Sequence, residues 1–444
     1  MRRAIAVALV AACGGGASAP DAAPAIVDAA PPPALPTRYP ADRIASPITA
    51  AVAARLRAIA AIDPTLHADV FAKIGASGTV STNFLFCFAG PSQPSYTLDL
   101  AGRDALVPTI AAFRAGRIDV TTPFDRATLA AQVGKTARWV LTGAPSPLDE
   151  ELAAAHPRFA FVNYGTNDME AAASYGAALP PFWDAMNELL DRLEGAGIVP
   201  ILTGLNPRAD DPVAARWVPT WDAATRALAE ARQLPYLSLY LASDPLADHG
   251  LGPDGLHGTV YTATGAQPCV FTAAGLAFNY NLRNLISITA LATTRAIVVD
   301  GADAPDAPPL PPIAGTGTAA DPFVVDRLPF THTWDTTGGE RAQGAYPACD
   351  AGQDESGPEI SYRLDLPAAT PVRAVVLDRG DTDVDLHVLS GDTCVERNDR
   401  LVDRALPAGA HTLVVDSFVS GGIEHAGGYT LVIVACEPGD SDCS

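Results

Sequence analysis

A three-layer α/β/α domain on a parallel sheet, followed by a smaller antiparallel β-sandwich, is the architecture this sequence predicts. Three observations carry it. Strand-like and helix-like segments alternate through residue 300. A Pro/Gly-rich break follows at 301–320. Beyond it, short strand patterns recur without helical periodicity.

The first domain is read over 37–300. Val70–Ile74 is a short strand ending at Gly75; Phe159–Tyr164 is a second, closed by Gly165; Ile198–Thr203 and Tyr236–Tyr240 are the third and fourth. Between the second and third, Phe182, Met186, Leu189, Leu190 and Leu193 recur at helical spacing, with Pro180 and Pro181 read as the helix start and Gly195 and Gly197 as its end. Ala223–Gln233 reads as the next helix and Phe278–Leu285 as a closing one. Alternation of this kind builds a parallel sheet with helices on both faces, whose ligands bind at the carboxyl ends of the strands. The second domain, 321–436, has strand patterns at Val375–Leu377, Val384–Leu389, His411–Val415 and Tyr429–Val434, with a tail at 437–444. Asp381, Asp383 and Asp385 read there as a solvated turn and strand face rather than a calcium site.

Composition bounds the function. Hydrophobic residues are 48% and charged residues 18%, enough to bury a core and exclude global disorder. A formal charge of -21 lacks the basic footprint of a nucleic-acid binder and would be repelled by anionic lipid. Membrane attachment would therefore have to be covalent or apolar. The first residues supply such a route. Arg2 and Arg3 precede an apolar run, Ala4–Ala12, too short to span a bilayer. Val10-Ala11-Ala12-Cys13 then resembles a bacterial lipobox, making 1–13 a signal peptide with Cys13 as the lipidated residue. An Ala/Pro/Asp-rich spacer, 14–36, follows. The expected location is the cell envelope, anchored by lipid, or the exterior. Setting Cys13 aside leaves six cysteines, and locality suggests Cys87 with Cys269, Cys349 with Cys394, and Cys436 with Cys443, among 15 possible connectivities. No spacing suggests zinc, and no metal or cofactor is expected. The chain is expected to be a monomer.

Three strand-end motifs carry chemistry. Lys73-Ile74-Gly75-Ala76-Ser77-Gly78 follows the first strand and offers a hydroxyl at the sheet edge. Asn163-Tyr164-Gly165-Thr166-Asn167-Asp168 follows the second, with a carboxamide of the kind that stabilises an oxyanion. Asp254-Gly255-Leu256-His257 lets a carboxylate fold back onto an imidazole in one turn. Each alone is an ordinary loop, cap or turn. Together, in this order, they resemble the SGNH (GDSL-type) hydrolase family over roughly residues 66–300. The resemblance implies Ser77 as nucleophile, His257 as base and Asp254 as its orienting acid. It implies an oxyanion hole of the Ser77 N–H, the Asn167 amide and a glycine N–H, for which Gly134 is chosen. The substrate implied is a small-molecule or polysaccharide ester.

Ala76 departs from the family's Gly-Asp-Ser, where the aspartate helps to hold the active-site loops. A catalytically degenerate binding lipoprotein is therefore the alternative. An ordinary α/β-hydrolase shares the chain order Ser, Asp, His, but would want Gly where Thr79 stands. Residues 321–436 resemble the bacterial pre-peptidase C-terminal domain through Asp383-Val-Asp385-Leu-His387, Leu406-Pro-Ala-Gly409 and Gly428-Tyr429.

Overall fold

The computed structural model of the chain describes residues 35–349, 352–391 and 393–443. Cys13 and the export segment lie outside the described residues. Leu35 onward forms one compact unit.

Four parallel strands form the first sheet in the order β1 (His67–Gly75), β2 (Pro157–Asn163), β3 (Val199–Thr203) and β4 (Tyr236–Leu237). β2 and β3 are almost wholly buried, as is β1 from Val70 on, which is why they read as mainly apolar runs rather than alternating ones, with Lys73 the buried exception in β1. Helices α1 (Ala50–Ala60), α2 (Ser77–Val80), α3 (Val107–Ala115), α4 (Pro147–Ala155), α5 (Tyr175–Gly195), α6 (Pro212–Arg232), α7 (Leu239–Ser243) and α8 (Asn279–Val298) complete the domain. α1 and α3 pack on α8, and α5 packs on α6, giving the three-layer arrangement.

Three local expectations need correction. α5 begins at Tyr175, so Pro180 and Pro181 lie inside it. Ser174 caps it by accepting from Ala177 N–H, and burial of Leu179, Phe182, Trp183 and Met186 holds the helix through the prolines. α6 begins at Pro212 under an Asp211 cap, well before Ala223, and runs through Pro219 because Trp217, Val218 and Trp221 are buried on its inner side. The fourth strand stops at Leu237. Ser238 accepts from Leu241 N–H and turns the chain into α7.

After the hairpin β5 (Thr262–Ala263) and β6 (Gly265–Ala266), the remaining strands form the sandwich. They are β7 (Phe323–Val325), β8 (Phe330–Asp335), β9 (Glu359–Leu366), β10 (Thr370–Asp378), β11 (Val384–Ser390), β12 (Thr393–Asn398), β13 (Leu401–Leu406) and β14 (Gly409–Ser417), then the short β15 (Val419–Ser420) and β16 (Ile423–Glu424), and last β17 (Gly428–Ala435). One sheet runs β13-β10-β17-β8 and the other β12-β11-β14-β9-β7, antiparallel except for the β7–β9 pair. The aspartate run departs from expectation: Asp385 is buried and pairs with Arg397 at 2.8 Å.

The sandwich is welded to the α/β domain. Val375, Leu377, Val432 and Val434 belong to the same apolar cluster as Trp217, Val218 and Trp221 of α6. Arg373 of β10, fully buried, lies over the Trp217 ring at 3.4 Å and pairs with Asp403 at 2.6 Å and Asp440 at 2.9 Å. The three disulfides are Cys87–Cys269, Cys349–Cys394 and Cys436–Cys443, the pairing that locality suggested. Among the described residues, no helix is long and apolar enough to cross a membrane.

Candidate active site

The site forms where β1, β2 and β3 end. Gly75 closes β1 because its position has no room for a side chain: a Cβ there would lie 2.3 Å from Thr79 Oγ1 and 2.6 Å from the Asn163 carbonyl. The chain then turns, and Ser77 opens the short α2, where the first N–H groups have no intrahelical acceptor.

The loop carrying His257 is tied to itself and to its surroundings. Gly255 N–H donates to Gly252 O and Gly252 N–H to His257 O. Gly255 has φ +66, and a Cβ on it would meet Asp210 N at 2.6 Å. The loop is anchored to α8 by Tyr280 N–H donating to Thr259 O. This geometry brings Ser77, His257 and Asp254 into one hydrogen-bonded chain. His257 Nε2 lies 2.9 Å from Ser77 Oγ and Nδ1 lies 2.7 Å from Asp254 Oδ2. Asp254 Oδ1 accepts from the backbone N–H groups of Leu256 and His257. The His257 backbone N–H and then its ring hold the Asp254 carboxyl down at about 2. Its stabilising contribution is thus present above the ordinary carboxylate range and is lost only as pH falls through about 2. His249 is engaged elsewhere, 3.0 Å from Asp244.

Asn167 lines the same small cavity as Ser77 and His257. Its amide nitrogen donates one bond to Lys135 O at 3.1 Å, and a carboxamide has two N–H donors. Gly134 does not line the cavity. It occupies a turn closed by Lys135 N–H donating to Gln132 O, with φ +76 as such a turn requires of its third residue. Immediately before it, the 130–132 segment runs parallel to the end of β1, with Gly75 N–H donating to Ala130 O and Gln132 N–H to Gly75 O. The Asn167–Lys135 bond therefore joins the Gly134 turn to the cavity wall.

Asp168 ties the same loops from behind. One oxygen accepts from Ala137 N–H at 2.8 Å and the other from Gly165 N–H at 3.0 Å. Burial pushes its carboxyl up to about 6 in spite of these donors. Asp168→Asn replaces one acceptor with a donor facing a donor. It is expected to cost about 1–3 kcal/mol in denaturant unfolding, with a parallel fall in activity.

Arg283 was not legible as a site residue. It projects from α8, is 2% exposed, and donates to Gly78 O and Asn163 Oδ1, both at 3.1 Å. Its guanidinium lies 4.1 Å over the Phe84 ring. Burial lowers its pKa to about 10, and its Nε has no partner among the described residues. Asn163 in turn donates to Thr203 O and Gly204 O. The residue at 76 has no side-chain acceptor, and Arg283 ties the Ser77 turn to the end of β2. Arg283→Met keeps the bulk and removes the fork. It is expected to lower kcat by about 10- to 100-fold in an ester hydrolysis assay, with Arg283→Lys failing to restore it. A signal was present in the sequence: Asn279, Asn281, Arg283 and Asn284 crowd one helix start, and all four are buried.

No curated protein matches the chain. Residues 100–262 match the GDSL-like lipase/acylhydrolase family. The GDSL-like span includes Gly134, Asn167, Asp254 and His257 and begins after Ser77, so Ser77 enters the site on geometry. Among solved structures, a GDSL-like lipase from Bacteroides thetaiotaomicron VPI-5482 is 15% identical, with 54% of this chain and 98% of that chain covered and a TM-score of 0.31. A two-domain esterase active on acetylated mannans is 11% identical, with coverages of 86% and 96% and a TM-score of 0.29. The pre-peptidase C-terminal domain of collagenase from Bacillus anthracis is 12% identical, with coverages of 24% and 89% and a TM-score of 0.18.

Proposed function

We propose that this GDSL-like protein is an exported serine esterase acting through an acyl-enzyme on short acyl esters. The observation that carries the reading is the chain Ser77–His257–Asp254, at 2.9 and 2.7 Å. His257 Nε2 takes the Ser77 proton as Oγ attacks the ester carbonyl. Asp254 fixes the ring tautomer and stabilises the imidazolium. The oxyanion is received by the Ser77 N–H and the second N–H of the Asn167 amide, each such donor worth roughly 3 kcal/mol of barrier, with the Gly134 N–H as the third donor the motif implies. The alcohol leaves with the proton from His257, and water then releases the acid. The cavity at Ser77 is about 30 Å³ and walled by Asn163, Asn167, Asn206, His257 and Tyr280. That small and polar site favours a short acyl group such as acetyl. A far larger apolar cavity, about 710 Å³ between Ile48, Leu106, Leu237 and Leu285, does not include Ser77.

Export rests on Arg2, Arg3 and the apolar run before Cys13, and on three disulfides, which persist in oxidising compartments. Lipidation of Cys13 would tether a monomer to the envelope through the 14–36 spacer. A panel of p-nitrophenyl esters and acetylated polysaccharides tests the activity. Turnover is expected to be highest on acetyl esters, abolished in His257→Ala and retained in His249→Ala. Absence of hydrolysis across the panel favours the non-catalytic binding lipoprotein that Ala76 suggests.

A further inference from the structure

The outer face of the β12-β11-β14-β9-β7 sheet carries groups that belong in water or on an ion. Register aligns Asp385 of β11 with Asp416 of β14, and Asp416 with Glu359 of β9, in one row across three strands. His387 stands two residues along β11 from Asp385, on the same face. The alternate residues Val384, Leu386 and Val388 fill the sandwich core on the other face. The outer face is covered by the segment that leads into β9. Tyr346 stacks on the His387 ring with centroids 3.6 Å apart, Glu355 enters beside it, and Cys349–Cys394 pins the segment to β12.

Beneath this cover, Glu355, His387 and Asp416 are each 0% exposed. Arg397 takes Glu355 Oε1 at 3.1 Å and Asp385 Oδ2 at 2.8 Å, and the Tyr346 hydroxyl donates to Asp416 Oδ2 at 2.8 Å. Glu355 Oε2, Asp416 Oδ1 and both ring nitrogens of His387 have no partner among the described residues. Burying such atoms unsatisfied is costly. Arg397 pairs with Glu355 and Asp385 alone, and Asp416 has no cationic partner among the described residues.

We propose that Glu355, His387 and Asp416 form a site for one divalent first-row transition ion, of the Zn²⁺ or Mn²⁺ kind. One ligand atom from each lies within 4.8 Å of the others. Ligand atoms each about 2.1 Å from one tetrahedral ion stand about 3.4 Å apart, so any pair at the 4.8 Å limit closes by roughly 1.4 Å as the ion binds. The imidazole selects against Ca²⁺ and Mg²⁺, which take oxygen ligands. The ion would staple the covering segment to β11 and β14, apart from the esterase chemistry.

The test uses the whole protein, stripped with a chelator and titrated separately with Zn²⁺, Mn²⁺ and Ca²⁺. Bound metal is counted after dialysis, with thermal unfolding in parallel. The wild type is expected to bind one equivalent of Zn²⁺ or Mn²⁺ and to melt about 5 °C higher. His387→Phe, which keeps the stack on Tyr346, and Asp416→Asn are each expected to lose the equivalent and the shift while keeping ester hydrolysis. Glu355→Gln replaces either variant if it fails to fold. No stoichiometric binding by the wild type, binding of Ca²⁺ alone, or undiminished binding in the variants would overturn the assignment.

Discussion

Ser77→Ala is expected to lower kcat for acetyl ester hydrolysis by on the order of 10⁴-fold or more, with an unchanged melting temperature and little change in KM. The size follows from what is removed. On the proposed reading the hydroxyl 2.9 Å from His257 Nε2 is the nucleophile, so what survives its removal is catalysis by orientation and the oxyanion donors alone. The small structural effect follows from the same geometry. Ser77 is half-buried, and the fold around it is held by Gly75, Arg283 and Asp168 rather than by its hydroxyl. A fall of less than tenfold in purified, folded variant would place the nucleophile elsewhere.

The second large effect concerns stability. Cys87 and Cys269 are 182 residues apart in sequence and both buried. Their bond joins the segment after α2 to the segment before α8, the two stretches that frame Ser77 and Arg283. Asn284 is held at the same junction, donating to Asn83 O at 2.8 Å and Pro268 O at 3.0 Å. Closing so long a loop restricts the unfolded chain strongly. The Cys87→Ala/Cys269→Ala protein is expected to lose about 3–5 kcal/mol and to melt roughly 10 °C lower. Because the bond frames the site, its loss should also lower kcat before global melting, as measured by activity against temperature. The Cys436–Cys443 bond closes a loop of separation 7 and does not line the Ser77 cavity, so Cys436→Ala/Cys443→Ala should leave activity unchanged.

What the sequence disclosed follows the range of the interactions involved. β1 to β3 were legible because burial on both faces writes a mainly apolar run bounded by glycine. The Asp254–His257 pairing was legible because both residues lie in one turn. α6 was read short because Pro212 and Pro219 look like boundaries, whereas tertiary burial of Trp217 and Trp221 carries the helix past them. In the sandwich, β12 and β13 were missed because Glu396, Arg397, Asp403 and Arg404 hide the strand pattern. β9 does alternate, at Ile360, Tyr362, Leu364 and Leu366, but its first outward positions are buried too. Arg283 was marked only by the polar crowd at the start of α8, and the Glu355–His387–Asp416 cluster had no local signature. The first contacts Gly78 across 205 residues, and the second depends on strand register and a covering segment.

Ala76 leaves the Ser77 turn without a carboxylate beside the hydroxyl. The loops at Ser77 are tied by the Gly75–Ala130 and Gln132–Gly75 backbone bonds and by Arg283, without a carboxylate at 76. The aligned triad is therefore expected to turn over without that aspartate. Treating the wild-type protein with a fluorophosphonate and mapping the adduct by peptide mass spectrometry asks this directly. The account predicts a single stoichiometric adduct on Ser77 that is lost in His257→Ala. No adduct on folded protein, or an adduct on another residue with Ser77 unmodified, would contradict it.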